Sequence, residues 1–221
     1  MPHASPVTPL EGFDRAWLAR VPIVSLSAEP DASELHDVER AEADRNKPRR
    51  RRELVAGRTA LRRALRAAGW SGDRPLLPGE QGRPELPQGF SGSITHKDGL
   101  VLAVAAAIVD GRTIGVDSEV LGERPRVGIA SRILRPPELA RWKAGGEAWP
   151  DLLEYFSLKE AIYKAAHPHL PRYIRFDEAE IAADGRITMH LLHDDGPLHL
   201  IGRRWWEGDR LISVASCRAA P

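Results

Sequence analysis

The chain has 221 residues, of which 42% are hydrophobic and 29% are charged, and its formal net charge is +1 at pH 7. This composition excludes collagen-like, coiled-coil and fully disordered chains and is typical of a globular protein of one or two domains. The longest apolar run, Leu100–Val109, has ten residues, which is too few to cross a bilayer. The first residues lack a secretion signal, and the single cysteine, Cys217, excludes an internal disulfide. We therefore predict a cytoplasmic protein without a membrane partner.

Charged residues are distributed unevenly over the first third of the chain. Six acids and one arginine lie between Asp31 and Asp44, and ten bases and one glutamate lie between Arg45 and Arg66. A basic stretch of this density attracts phosphate groups on a nucleic acid, a membrane surface or a small molecule. The alternative is a solvated helix face that pairs with its acidic neighbour. The charge pattern alone leaves these alternatives open.

The sequence pattern of the first half of the chain predicts a strand, two helices, a long connection and three strands. The first strand is expected at Val21–Ser27, and a helix over the acidic stretch has Ser33 available as its cap. A second helix is expected near Pro48, because proline suits the first turn. Its apolar residues recur at helical spacing, so its arginines are expected to lie on the remaining surface. After a Gly- and Pro-rich connection, strands are expected at 93–96, 100–109 and 113–119, with a tight Asp110-Gly111 turn joining the last two.

The second half predicts helices followed by a β-meander. A helix is expected to start at Arg135-Pro136, and a stronger one runs from Asp151 to about His167, where Pro168 ends it. Four further strands are expected at 174–181, 186–193, 198–206 and 211–217. This order predicts an α+β fold with an N-terminal half, residues 1–120, and a C-terminal half, residues 121–221.

Two groups of charged residues indicate phosphate and metal chemistry. Asp117 and Glu119 are two apart on a predicted strand, so both face one side and form an oxygen site suited to Mg²⁺, or else a polar strand end. Glu160 and Lys164 are four apart on the strong helix and share one face, which is either an exposed ion pair or part of a diphosphate site. Lys159 adds a second ammonium group.

Other sequence patterns narrow the reaction class. Thr95 and His96 end a predicted strand and offer a hydroxyl and an imidazole to a phosphate group. The single cysteine and the absence of a second well-spaced histidine make a zinc site a poor interpretation. The motifs GxGxxG, GxxxxGK[ST] and GxSxG are absent, which argues against a Rossmann enzyme, a Walker ATPase and an α/β-hydrolase.

Taken in order, GSITH, GVDSE and FSLKEAIYKA resemble the three signature motifs of the 4'-phosphopantetheinyl transferase superfamily. The upstream RRRRELVAGRTALRRAL resembles the arginine-bearing helix of its enterobactin synthase component D-like branch, which serves siderophore, nonribosomal peptide and polyketide synthesis. The match extends from about Arg49 to Ala165. It implies an α+β pseudodimer of two similar α/β halves, with coenzyme A and Mg²⁺, or alternatively Mn²⁺, in the cleft between them. Such enzymes transfer the phosphopantetheine arm of coenzyme A to a serine of an apo acyl or peptidyl carrier protein and release adenosine 3',5'-bisphosphate.

The resemblance implies roles for the residues of the second and third motifs. Asp117 and Glu119 would be metal ligands, and Glu160 would complete the metal site. Glu160 would also serve as the base for the carrier serine, with a metal-bound water as the alternative base. Lys159 and Lys164 would hold the diphosphate, and Lys159 counts with Glu160 as a catalytic residue.

The resemblance also implies a nucleotide site in the first half of the chain. Thr95 and His96 would contact the nucleotide phosphates. Arg50, Arg58 and Arg83 would surround the 3'-phosphate and adenine, and the neighbours of Arg50 in the arginine run are alternatives by one position.

Two other hypotheses compete with this interpretation. A nucleic-acid-binding module would use the arginine-rich helix, but the six tryptophans are scattered and the net charge is only +1, whereas such modules interleave basic and aromatic residues on one face. A catalytically silent relative that binds coenzyme A is disfavoured by the intact set of acids. We therefore predict an active monomeric enzyme that does not bind nucleic acid.

Overall fold

The computed structural model describes residues 7–23, 31–79, 83–122, 126–170, 172–192 and 195–220. The chain divides into two compact units, Met1–Val109 and Asp110–Pro221. Each unit combines an antiparallel sheet with helices, which confirms the predicted α+β class. The division falls after Val109 instead of after residue 120, because the strand Thr113–Val120 pairs along its whole length with the last strand of the chain.

The first unit has a four-stranded antiparallel sheet in the order β1-β2-β4-β3. Its strands are β1 (Val7–Pro9), β2 (Ala16–Pro22), β3 (Phe90–Lys97) and β4 (Leu100–Ala107). The first eight residues of the apolar run form β4, and residues 101–106 are buried because β4 lies inside the sheet. Ile108 and Val109, which were predicted to belong to the strand, are exposed and lie beyond its end. The strand expected at Val21–Ser27 begins earlier, at Ala16, and residues 24–27 lie outside the described ranges.

Two helices, α1 (Asp37–Asp44) and α2 (Pro48–Ala67), complete the first unit. Pro48 is the first residue of α2, as predicted, and the apolar side of α2 packs with residues of β2 and β4 in one core. The arginines of α2 do not all lie on the surface, because Arg58 is only 6% exposed and Arg62 is fully buried. Burial of Arg62 is compensated by Glu39 of α1, whose carboxylate lies 2.6 Å from the guanidinium.

The second unit has a three-stranded antiparallel sheet in the order β5-β9-β8, covered by the long helix α5 (Trp149–Ala166). The strands are β5 (Thr113–Val120), β8 (Leu198–Glu207) and β9 (Arg210–Ala219), and a separate hairpin joins β6 (Ala179–Ile181) to β7 (Ile187–Met189). Two shorter helices, α3 (Ala130–Ile133) and α4 (Pro136–Ala144), precede α5.

The predicted Asp110-Gly111 turn exists, but it does not make a hairpin. Both residues have positive φ angles, 51° and 69°, as the two central residues of a type I′ turn do. The strands that it joins, β4 and β5, belong to different sheets. The sequence pattern identified the turn and both strands. β4 pairs with β2 and with the directly preceding β3, whereas β5 pairs with β9 near the end of the chain.

Gly115 brings the backbones of β5 and α5 into close contact. A Cβ atom at this position would lie 2.3 Å from the carbonyl oxygen of Ala161 and 2.6 Å from the nitrogen of Ala165. Neither is a flexible side-chain atom, so any larger residue must push the helix away from the sheet. Gly115 therefore sets the distance between β5 and α5.

We expect Gly115→Ala to lower the free energy of unfolding by about 3 kcal/mol, the upper end of the usual cost of overpacking a core. Urea unfolding followed by circular dichroism measures this change. Gly128→Ala is the matched control, because a Cβ there would meet no atom within 4 Å. Equal stability of the two variants would contradict the close approach.

Candidate functional site

Asp117 and Lys164 form an ion pair between β5 and α5. The Lys164 ammonium donates to Asp117 Oδ1 at 2.7 Å and to the carbonyl oxygen of Val116 at 3.0 Å. The Asp117 residue is only 5% exposed, whereas the Lys164 side chain is 24% exposed. The ammonium has three hydrogens, and these two acceptors leave one for a ligand that approaches from solvent.

Glu160 lies one helical turn before Lys164, on the same face of α5. Burial raises the pKa of the Glu160 carboxyl above its ordinary value, and the negative charges of Asp117 and Glu119 raise it further. The Lys164 ammonium opposes this shift. The carboxylates of Asp117 and Glu119 are therefore close enough to affect the ionisation of Glu160.

The chemistry of this carboxylate group fits a hard divalent cation. Asp117 and Glu119 alternate with Ser118 along β5, so both carboxylates lie on the sheet face that α5 covers. As the side chains stand, no three Asp, Glu, His or Cys residues of the described ranges converge closely enough to hold a metal ion. Glu119 and Glu160 are only partly buried, so both are accessible from solvent.

Lys159 does not join this group. Its ammonium is buried with a 1% exposed side chain, and it donates to Glu138 Oε2 at 2.6 Å, to Ile133 O at 2.7 Å and to Phe176 O at 3.1 Å. Burial lowers the pKa of Lys159, and the negative charge of Glu138 counteracts that effect. Adjacent residues of a helix point about 100° apart, which explains why Lys159 faces the protein interior while Glu160 faces Asp117.

Arg58 of α2 is a buried cation in the first unit. Burial lowers the pKa of its guanidinium, as does the positive charge of Arg50, while Glu39 and Glu42 oppose this. Its Nε atom is buried and has no hydrogen-bond partner. Among the described residues, no carboxylate lies within ion-pair distance of the Arg58 guanidinium. An arginine in this situation has unused capacity for a bound anion.

Arg50 and His96 meet at Glu53, near the start of α2. Arg50 Nη1 lies 3.5 Å and His96 Nε2 lies 3.8 Å from Glu53 Oε2. Glu53 is the one acid of the basic stretch, and its position in that stretch was the only sequence signal for this role. The acid holds two of the predicted phosphate-binding residues in one place.

Thr95 lies on β3, and Arg83 lies in the connection that precedes this strand. Thr95 and His96 are consecutive on β3, so their side chains point to opposite faces of the sheet, and Thr95 is buried. Arg83 lies in the connection before β3, where its carbonyl oxygen accepts a hydrogen bond from Gly79. That both residues contact the nucleotide phosphates stays a prediction.

The thiol of Cys217 takes no part in either group. It lies on β9 and is fully buried, and this burial raises its pKa to about 12. The thiolate is therefore scarce at neutral pH, which agrees with the packing role predicted from the sequence.

Comparison with known proteins identifies the family. The model of the 4'-phosphopantetheinyl transferase N-terminal domain matches residues 38–106, and the model of the 4'-phosphopantetheinyl transferase superfamily matches residues 113–215. The chain is 37% identical over 199 residues to the 4'-phosphopantetheinyl transferase Svp of Streptomyces mobaraensis, which covers 83% of this chain and 78% of that protein. The chain belongs to the 4'-phosphopantetheinyl transferase superfamily.

A second relative of this transferase is the 4'-phosphopantetheinyl transferase Npt of Nocardia iowensis. The two are 32% identical over 204 residues, which cover 84% of this chain and 90% of Npt. Among solved structures, the transferase is similar to a holo-ACP synthase from Plasmodium yoelii, with a TM-score of 0.41, 18% identity, and coverage of 52% of this chain and 98% of that one. None of the helices in the described part of the transferase is both long and apolar enough to span a membrane.

Proposed function

We propose that this transferase moves the 4'-phosphopantetheine arm of coenzyme A to a serine of an apo acyl or peptidyl carrier protein. The reaction uses Mg²⁺ and releases adenosine 3',5'-bisphosphate. The observation that carries the proposal is the meeting of Asp117 and Lys164 between β5 and α5, with Glu160 beside them. Carboxylates and a partly exposed ammonium are the groups that bind a metal-diphosphate ligand.

The nucleotide end of coenzyme A is assigned to the first unit. Arg58 supports this assignment, because its buried guanidinium has no carboxylate partner among the described residues and a phosphate supplies the missing charge. Arg50 and His96, both held at Glu53, are assigned to the same anionic end. Thr95 and Arg83 are assigned to it by the resemblance alone.

Asp117, Glu119 and Glu160 are the proposed ligands of Mg²⁺, and Mn²⁺ is an alternative ion. All three donors are carboxylates, which hard cations prefer. Burial raises the pKa of Glu160, and the charges of Asp117 and Glu119 raise it further. This supports the assignment, because a bound cation would stabilise the ionised carboxylates. When bound, the ion stabilises the charge that develops on the diphosphate oxygens.

The protein's own residues have two tasks in this reaction. Glu160 is the proposed base that takes the proton from the carrier serine hydroxyl. The serine oxygen then bonds to the phosphorus that carries the pantetheine arm, and the bond from this phosphorus to the bridging oxygen breaks, so its electron pair leaves with adenosine 3',5'-bisphosphate. Lys164 uses its third N–H group to donate a hydrogen bond to a diphosphate oxygen. The carrier serine is the nucleophile, so the enzyme needs none of its own.

Intact mass spectrometry of an apo carrier protein tests this function. The carrier is incubated with the enzyme, coenzyme A and Mg²⁺, and a parallel sample contains EDTA. We expect the carrier to gain the mass of one phosphopantetheine group, and EDTA to prevent the gain. The absence of a gain across acyl and peptidyl carriers, together with the absence of protection by coenzyme A against thermal unfolding, would contradict the proposal.

A further inference from the structure

Lys159 has no hydrogen left for a ligand. A lysine ammonium has three N–H groups, and those of Lys159 have acceptors in Glu138, Ile133 and Phe176 within 3.1 Å. The side chain is 1% exposed, and that of Glu138 is fully buried. A phosphate group would have to displace one of these acceptors from a closed interior, which is a costly exchange for a buried charge.

Both carboxylate oxygens of Glu138 accept hydrogen bonds, and the other partners of this residue come from different segments. Its Oε2 atom accepts from the backbone nitrogen of Arg135 at 2.7 Å, and its Oε1 atom accepts from the backbone nitrogen of Ile181 at 2.7 Å. The Lys159–Glu138 pair therefore connects α5 to the end of α3, the start of α4, the turn at Phe176 and strand β6. Five elements of the second unit meet at this one ion pair.

The position of the pair along α5 gives it an influence on the candidate site. Lys159 immediately precedes Glu160, and Lys164 follows one turn later. Because the helix is a rigid element, anchoring Lys159 on one side fixes the direction in which Glu160 and Lys164 point. On the opposite strand, Gly115 sets the distance between β5 and α5. The distance of α5 from β5 thus depends on Gly115, whereas the rotation of α5 about its axis depends on the Lys159–Glu138 pair.

Stability alone gives little reason to keep a buried ion pair. Replacing such a pair by apolar residues of similar volume is often neutral or stabilising, whereas removing one partner is strongly destabilising. The contacts of Lys159 and Glu138 are directional, so the pair specifies one rotation of α5, which apolar packing would specify less sharply.

We propose that Lys159 is a positioning residue that, together with Glu138, holds the rotation of α5 so that Glu160 and Lys164 face Asp117. It does not bind the diphosphate of coenzyme A, in contrast to the role implied by the resemblance. This inference rests on the proposed function, because its readout is phosphopantetheine transfer.

A double-mutant cycle with Lys159→Met, Glu138→Leu and the double variant tests the proposal. For each protein, the dissociation constant of coenzyme A is measured by calorimetry, and kcat of transfer to an apo acyl carrier protein is measured per folded molecule. Urea unfolding gives the folded fraction. Lys164→Met is the matched control, since it removes an ammonium from the same helix that the proposal places in the site.

We expect Lys159→Met to change the dissociation constant of coenzyme A by less than about 3-fold and to lower kcat by about 10-fold or more. The double variant is expected to be more stable than either single variant and to recover part of kcat, because neither buried charge is then left without its partner. Lys164→Met is expected to lower kcat, and the addition of Glu138→Leu is expected to bring no recovery.

Three results would overturn the proposal. One is weaker binding of coenzyme A by about 10-fold or more in Lys159→Met without recovery in the double variant, which would make Lys159 a phosphate ligand. Another is an unchanged kcat per folded molecule in Lys159→Met, which would make the pair purely structural. The third is a double variant that does not fold. If the unmodified enzyme itself transferred no phosphopantetheine, the proposed function would be contradicted instead. Failure of the positioning role and failure of the proposed function are therefore distinguishable.

Discussion

Asp117→Asn is expected to lower the rate of phosphopantetheine transfer by about 10²–10³-fold, the usual loss when one charge-stabilising group is removed from an active site. Asparagine keeps the shape of Asp117 and can still accept a hydrogen bond from Lys164 through its amide oxygen. It removes the negative charge that a divalent cation requires. The substitution therefore separates the chemical role of Asp117 from its packing.

The fold is expected to tolerate this change. Lys164 is partly exposed and keeps the carbonyl oxygen of Val116 as an acceptor. Loss of the Asp117 charge also relieves the repulsion that raises the pKa of Glu160. We expect the free energy of unfolding to change by about 1 kcal/mol or less, as is typical of an ion pair that solvent partly screens.

Initial rates of carrier modification, followed by intact mass spectrometry, measure the effect of Asp117→Asn. Asp151→Asn is the matched control, because Asp151 is an exposed carboxylate in the first turn of α5. A transfer rate within about 3-fold of the unmodified enzyme would remove Asp117 from the metal site.

Arg58→Met has the second large expected effect, on the binding of coenzyme A. We expect the dissociation constant to rise by about 10–100-fold, because a hydrogen-bonded charge pair with phosphate contributes roughly 1.5–3 kcal/mol. The same change is expected to leave the ligand-free protein equally stable or to stabilise it. The reason is that Arg58 is buried without an ion-pair partner among the described residues, so its removal relieves a desolvation cost.

Calorimetric titration with coenzyme A and with dephospho-coenzyme A measures this effect and locates it. If Arg58 binds the 3'-phosphate, the substitution weakens coenzyme A and leaves dephospho-coenzyme A nearly unaffected. Arg66→Met is the matched control on the same helix, because the Arg66 side chain is half exposed and lies 3.8 Å from Glu34. An equal loss of affinity for both ligands would mean that Arg58 binds a part of coenzyme A other than the 3'-phosphate.

Much of the secondary structure was predictable, because its signals are local. Pro48 and the leucine spacing predicted α2, and the apolar pattern of residues 152–163 predicted α5. The predicted cap was wrong, because α5 begins at Trp149 and Asp151 lies within its first turn. The apolar run of β4 and the two-residue spacing of Asp117 and Glu119 predicted a strand and its acidic face. These features depend on residues that are close together in the sequence, so they can be predicted without knowledge of the tertiary structure.

The surroundings of single side chains were less predictable, because they depend on distant partners. Arg58 and Arg62 are both arginines of α2, and both are buried. Glu39 forms an ion pair with Arg62, whereas Arg58 keeps the capacity to bind an anion. The adjacent Thr95 and His96 point to opposite faces of β3. The Asp110-Gly111 turn joins strands of different sheets, since β4 pairs with β2 and β3 before the turn and β5 pairs with β9 near the end of the chain.

Lys159 and Lys164 show which property of a helix the local sequence does not determine. The sequence established that a helix presents two lysines beside Glu160, and the order of its motifs pointed to the correct family. Which lysine faces Asp117 depends on the rotation of α5, and no residue of α5 alone specifies that rotation. It results from the close contact at Gly115 and from the buried pair with Glu138, 21 residues before Lys159 in the chain. Helical propensity depends on local residues, whereas the direction of a helix face depends on contacts that form only when distant segments pack together.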